Sequence, residues 1–321
     1  MLVLARRCHF IKINYLKVVH SMSTTTKWLQ KIGAVVTIAL ASQAWAGPII
    51  LGGDDLTDHG SRTVAGVNQN GWLYIQLAIN NLLGTQTRSG TLTTDIVALG
   101  SLADPAFTSG DAGGAIGSAA NVLGRSVSFY DGDTAINQFF VDLAAGTVNP
   151  RVIWLAGTGA QNDLDSSEGA ALTSNAAAIN TFVTSGGGLM SHGSGSTAYG
   201  WLSALLPGII ETTGCSSGGA TLTAAGNAAF PGLTNANIDS NAGPCHSHFE
   251  GNFGGLTTLA LDGNGLSYII GGGAGTVIQC GLAGQPPCKI PEPEVFHLLG
   301  IGLLGMVLGL RRRFPSTKVI N

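Results

Sequence analysis

Basic residues are scarce through most of this chain. Between Gly47 and Ile290 there are 5 (Arg62, Arg88, Arg125, Arg151 and Lys289) against 16 acidic ones, a net charge of −11. The other 10 of the 15 Lys and Arg sit at the two ends, so the whole-chain charge of −3 hides the division. A domain this acidic, with no basic stripe, excludes nucleic acid and anionic membrane surfaces as its partners. Charged side chains make up only 10% of the chain, so the surface falls to Gly, Ser, Thr, Asn and Ala. Such a neutral polar coat suits a hydrated polysaccharide matrix. No Cys-x-x-Cys spacing occurs, which weakens a zinc-ribbon reading. No EF-hand spacing and no fixed repeat period are present either. The 244 residues from Gly47 to Ile290 suffice for one sizeable core, or at most two small ones.

Both ends carry targeting patterns. Near the amino end, Lys27 and Lys31 precede the apolar Ile32 to Ala41, and Ala44-Trp45-Ala46 supplies small residues for cleavage. That is a signal peptide, with residues 1–46 removed and Gly47 as the mature start, which implies the Sec export machinery. Met22 is the expected initiator, because the residues ahead of it are basic and unpatterned. At the other end, Pro291-Glu292-Pro293-Glu294 is followed by an apolar run from Val295 to Leu310 and then by Arg311-Arg312-Arg313. The 16-residue run would be roughly 24 Å long as a helix, slightly short of a ~30 Å hydrocarbon core. It is expected to cross the membrane, with the arginines held on the cytoplasmic side.

This tail resembles the PEP-CTERM sorting signal of Gram-negative bacteria, with one departure: eight residues, Phe314 to Asn321, follow the arginines. The resemblance implies recognition by an exosortase, transient anchoring in the inner membrane, and delivery to the cell surface or an exopolysaccharide matrix. On this reading residues 47–285 form an exported ectodomain, 286–294 a linker, 295–310 a transmembrane helix and 311–321 a basic cytoplasmic tail.

Four cysteines lie beyond the leader: Cys215, Cys245, Cys280 and Cys288. An even count in an exported chain points to disulfides. Three pairings are open. The one with Cys215–Cys245 and Cys280–Cys288 closes two Gly-rich loops without crossing.

Strands alternate with amphipathic helices along the first two thirds of the domain. Apolar runs at Pro48–Leu51, Asp95–Leu99, Val127–Tyr130, Val152–Ala156 and Leu189–Ser191 read as buried strands. Trp72, Ile75, Ile79 and Leu82 are spaced for a helix over Asn70–Leu83. Ile136, Phe139, Phe140 and Leu143 mark a second. Asp165 followed by Glu168 makes a capping-box start for a third, with Leu172, Ala176, Ile179, Phe182 and Val183 on its apolar face. Gly186-Gly187-Gly188 ends that helix. A further helix contains Trp201, Leu202 and Leu205. After Pro207 the pattern changes, and Leu256–Leu261, Asp262-Gly263-Asn264-Gly265 and Leu266–Ile270 read as a hairpin. The expected fold is α/β: a parallel sheet with helices on both faces and an antiparallel Gly-rich C-terminal portion.

Val152-Ile153-Trp154-Leu155, Phe182-Val183 and Gly186 to Gly193 resemble the class I glutamine-amidotransferase-like fold, including its trehalose-utilisation-like branch. The resemblance covers about half the domain and implies a flavodoxin-like sheet with a nucleophile elbow. Ser191 stands on the tip of that elbow, where the family has cysteine, and Leu189 replaces the small residue expected two places earlier. His248-Phe249-Glu250 matches the family's His-x-Glu pair, so Ser191, His248 and Glu250 are the candidate triad. The alternative is a retained turn shape without catalysis.

Asp54, Asp55, Asp58 and His59 follow the first strand within six residues. Ligands of open α/β sheets bind at the carboxyl ends of strands, where this cluster and His192 both fall. Carboxylates with an imidazole could hold Ca²⁺ or another divalent metal; otherwise they are caps in a solvated turn. His246 and His248 share one strand face, in a loop next to Cys245. Two functions compete: a non-catalytic surface or matrix module binding polysaccharide or metal, and an exported hydrolase using the elbow or the Asp/His cluster.

Overall fold

Continuous apolar runs build the centre of the molecule. In the computed structural model, which describes residues 47–90, 92–159, 163–216, 218–239 and 244–273, four of them lie side by side. Strands β1 (Ile49–Gly52), β4 (Thr94–Leu99), β6 (Pro150–Leu155) and β7 (Gly188–Ser191) are buried over nearly their whole length. A strand buried at successive residues is covered on both faces, since successive side chains point to opposite sides. With β5 (Val127–Tyr130) at the edge, these five run parallel in the order β5-β4-β6-β7-β1.

The covering helices are α1 (Gly71–Thr85), α2 (Ala112–Leu123), α3 (Asp133–Ala145), α4 (Ser166–Ser174) and α5 (Ala176–Thr184). Helix α1 packs on α2, and α3 on α4. Trp72, Ile75, Ile79 and Leu82 are all fully buried on α1, and the Trp72 indole donates to the Thr57 carbonyl at 2.8 Å. Asp111 caps α2 by accepting from the Gly114 N–H. The capping box of Asp165 and Glu168 starts α4. The single helix expected onward from Ser166 is two, because Asn175 leaves helical geometry (φ −100°, ψ 16°) and bonds through its side chain to the Ala171 carbonyl.

Beyond β7 come the short helices α6 (Gly195–Tyr199) and α7 (Leu202–Leu205), then β8 (Ile209–Thr213), β9 (Thr221–Leu222), α8 (Ala224–Ala229) and α9 (Asn235–Ile238). Strand β10 (Ser247–Gly251) pairs antiparallel with β8. The Gly-rich hairpin, β11 (Thr257–Leu261) and β12 (Ser267–Gly272), joins the main sheet instead of standing apart. β12 lies antiparallel to β1, and the eight-stranded order finishes β1-β12-β11-β9. Its turn is organised by Asp262, which accepts from the Asn264, Leu266 and Ser216 N–H groups. A separate ribbon pairs β2 (Gly60–Arg62) with β3 (Asn68–Asn70).

An α/β sheet with flanking helices is thus present, and the expected membrane-crossing helix is corrected. Among the described residues no helix is long and apolar enough to cross a membrane. The longest, α1, has 15 residues and carries Gln76, Asn80 and Asn81, against the ~20 apolar residues a span needs. The segment Val295–Leu310 lies outside the described residues, as do residues 1–46, Pro291-Glu292-Pro293, Arg311 to Arg313, Cys280 and Cys288. The membrane as a partner, inner-membrane anchoring and the delivery derived from it are therefore set aside.

Candidate functional site

Strand β1 ends where two glycines allow an unusually close approach. A Cβ on Gly52 would lie 1.6 Å from Asp54 Oδ2, and one on Gly53 would lie 1.9 Å from the Ser247 carbonyl oxygen. Only glycine leaves that room, so the Asp54 side chain folds back over the strand end and the start of β10 lies against Gly53. The Gly53 carbonyl accepts from both His246 N–H (2.7 Å) and Ser247 N–H (3.0 Å). The disulfide Cys215–Cys245, closing 30 residues, fastens the same stretch.

Inside this edge runs a sealed hydrogen-bond chain. Asp54, His192 and Trp154 are all fully buried. His192 Nδ1 is 2.8 Å from Asp54 Oδ1, and Trp154 Nε1 is 3.0 Å from His192 Nε2. Indole N–H can only donate. His192 Nε2 must therefore accept, and Nδ1–H must donate to Asp54. Asp54 Oδ1 also takes the Leu56 N–H at 3.0 Å. Both imidazole nitrogens are committed, so His192 joins β1, β6 and β7 and is in no position to act as a base.

The elbow residues do not assemble. Ser191 is 1% exposed rather than on an open tip, and its Oγ is buried without a hydrogen-bond partner. Tyr199 Oη covers the turn, donating to the Gly52 carbonyl at 2.7 Å, with the Ser191 carbonyl at 3.3 Å. His248 is engaged elsewhere: Nδ1 is 2.7 Å from the Gly214 carbonyl and Nε2 is 3.0 Å from Glu250 Oε1. Burial pushes the His248 pKa down, but the Gly214 carbonyl and Glu250 outweigh it and the net shift is upward. With an acceptor at each nitrogen, His248 has no lone pair to offer a serine.

The neighbouring residues form a second, outward-facing group. Asp55 stands between two imidazoles: His246 Nε2 lies 2.7 Å from Oδ2, and His59 Nε2 lies 3.3 Å from Oδ1. The His246 side chain is 48% exposed and that of Asp55 only 11%, so the carboxylate is reached from solvent past His246. The hydrogen bond to Asp55 raises the His246 pKa against the opposing effect of burial. Asp58 is pushed up to about 6, first by burial and then by the charge of Asp55, with His59 and His246 pulling the other way and Asp111 adding a little. Three oxygens of this one turn, Asp54 Oδ2, Asp55 Oδ1 and Asp58 Oδ1, are buried and receive no hydrogen bond. Buried carboxylate oxygens without donors are uncommon.

His246 is the member that the sequence hides: its spacing from His248 puts both on one strand face, but its place beside Cys245 reads as a stapled loop. Of the cysteine pairings left open, the structure makes Cys215–Cys245. Both sulfurs lie within 4.8 Å of an Asp262 oxygen, but bonded to each other they offer no thiolate. No family model, curated protein or solved structure matches the chain.

Two outcomes are expected. Trp154→Phe leaves His192 Nε2 without its donor and opens a small cavity, so denaturant unfolding should show a loss of about 2–4 kcal/mol. A variant as stable as wild type would mean that the acceptor finds another donor. Asp58 has a native pKa above its unfolded value, so the native state holds the proton more tightly and stability falls as pH rises from about 4 to about 6. In EDTA, Asp58→Asn should gain about 1 kcal/mol over wild type at pH 7.5, after allowance for solvent screening, and little at pH 4. A gap that does not change with pH would refute this.

Proposed function

We propose that the domain is a cation-dependent hydrolase whose metal is held by Asp55, His59 and His246, with Asp58 beside it. The observation that carries this reading is the pair of imidazole nitrogens facing Asp55, with Asp58 Oδ1 buried and without a hydrogen bond in the same turn. Two ligands about 2.1 Å from a tetrahedral ion lie about 3.4 Å apart. The 3.3 Å pair of His59 and Asp55 is near that spacing, but the three donor atoms do not all lie within 4.8 Å of one another, so a cation would have to draw the two imidazoles together. Mixed imidazole and carboxylate ligands favour Zn²⁺ or Mn²⁺ over Ca²⁺. A cation there would lower the pKa of a bound water and so supply a nucleophile. Asp58 is placed to take the released proton, and the half-exposed His246 borders the approach. The position at the carboxyl end of a parallel strand is the usual one for ligands in such sheets. The acidic domain favours substrates that are neutral or cationic.

Calorimetry on EDTA-stripped protein tests the site. Zn²⁺ or Mn²⁺ should bind in the micromolar range, and His246→Ala or His59→Ala should weaken binding at least tenfold. A panel of nitrophenyl esters and glycosides should be hydrolysed only with the cation. No binding at millimolar metal would sink the site; binding without hydrolysis would reduce it to a binding module.

A second reading concerns the tail. We propose that Pro291 to Arg313 is a PEP-CTERM-type signal cut by an exosortase. The Cys215–Cys245 disulfide favours it, because such bonds persist in oxidising compartments. In a host that has an exosortase, the wild-type chain should shorten at its carboxyl end, whereas Glu292→Ala should keep its tail. Equal intact masses for the two would rule this out.

A further inference from the structure

The opposite edge of the sheet holds a cation of its own. Arg88 follows α1, Asn149 precedes β6, and Ser185 precedes β7, so all three stand at the amino-terminal ends of parallel strands. The backbone there is fixed by Thr87 N–H donating to the Gly186 carbonyl at 2.9 Å. A Cβ on Gly186 would lie 2.5 Å from Thr87 Oγ1, and its φ of +96° suits glycine. The guanidinium of Arg88 lies over the Phe182 ring, 4.6 Å from the centroid. Its Nε–H donates to Asn149 Oδ1 at 2.6 Å, and Nη1 donates to Ser185 Oγ.

Every partner of this guanidinium is uncharged. Arg125 and Arg151 both pair with Asp95, at 3.8 and 3.2 Å, whereas among the described residues no carboxylate lies within 4.0 Å of Arg88, nor of Arg62, which bonds Asn121 over the Phe107 ring. Arginine has five N–H donors, and only two are used here. The side chain borders a cleft of about 360 Å³, lined also by Ser89, Asn149, Ser185, Leu143 and Val148. That volume is in the range of small-molecule sites. Burial lowers the pKa of Arg88, which adds to the cost of leaving its charge unmatched.

We infer that this cleft binds a small organic carboxylate, whose two oxygens take the free N–H groups of Arg88. A planar carboxylate matches the guanidinium fork, and stacking on Phe182 holds the fork in place. Ser89 offers a hydrogen bond to a hydroxylated body, and Leu143 and Val148 offer an apolar floor. A sugar acid meets both demands. The site is independent of the Asp55 cluster, which stands at the other edge of the sheet.

The test is calorimetric titration of the full chain with sodium glucuronate at constant ionic strength, with glucose and sulfate as comparisons. Glucuronate should bind in the millimolar range or tighter, at least tenfold more tightly than glucose. Sulfate binding as tightly as glucuronate would overturn the carboxylate assignment. Arg88→Met keeps an aliphatic body over Phe182 and should weaken glucuronate at least tenfold. Should that variant fold poorly, Ser89→Asp places a repelling charge on the exposed rim and should give the same loss. Glucuronate no tighter than glucose, or unchanged affinity in the folded variant, would overturn the site.

Discussion

A carboxylate sealed from water organises the carboxyl edge of this sheet. Stripping an ionisable oxygen pair of solvent costs several kcal/mol unless donors replace the water. At Asp54 the replacements, His192 and the Leu56 N–H, both reach Oδ1 and leave Oδ2 without a donor, and His192 in turn is met by Trp154. The ends of three strands are thereby fixed relative to one another. Gly52 and Gly53 follow from the same demand, since a side chain at either would displace the carboxylate or the neighbouring strand. The elbow after β7 is consequently a packed joint. Its serine faces protein on every side, and its histidine is fully engaged.

On the proposed reading, the chemistry lies one residue beyond the buried joint. Asp54 and Asp55 are adjacent, but one belongs to the interior and the other to a group open to solvent. The disulfide and the main-chain bonds to Gly53 hold His246 over Asp55. A site supported in this way has little ordering left to do when it binds. Burial and the neighbouring charge of Asp55 together raise the Asp58 pKa.

The sequence was most legible where local physics decides. Uninterrupted apolar runs marked β1, β4, β6 and β7, helical spacing marked α1 and α3, and Asp165 with Glu168 marked the start of α4. Asn175 hid its break, because the apolar period continues across it. The hairpin of β11 and β12 was visible, but its pairing with β1 was not, since partners more than 200 residues apart leave no trace in a local period. At the site, the Asp54 to His59 cluster stood out, but its division into a buried and an exposed half depends on Trp154 and His192. Ser191 looked exposed because a strand-to-helix turn usually is; Tyr199 closes over it. His246 was overlooked because a disulfide neighbour suggests scaffolding, and here scaffolding and placement are the same thing.

The place of β1 has a kinetic side. It is the first strand of the domain in the chain, yet both of its neighbours come late: Ile49 pairs with Leu189 on one side and with Gly272 on the other. Loop closure over such separations slows folding, because chain entropy is surrendered before the contacts that reward it exist. During synthesis the pieces from β4 to β6 can gather among themselves while Ile49 to Gly52 waits without a seat. The Asp54 joint can close only when β7 has emerged, and the sheet only when β12 has. Until then an apolar strand remains open to wrong partners, the condition in which chains need a chaperone.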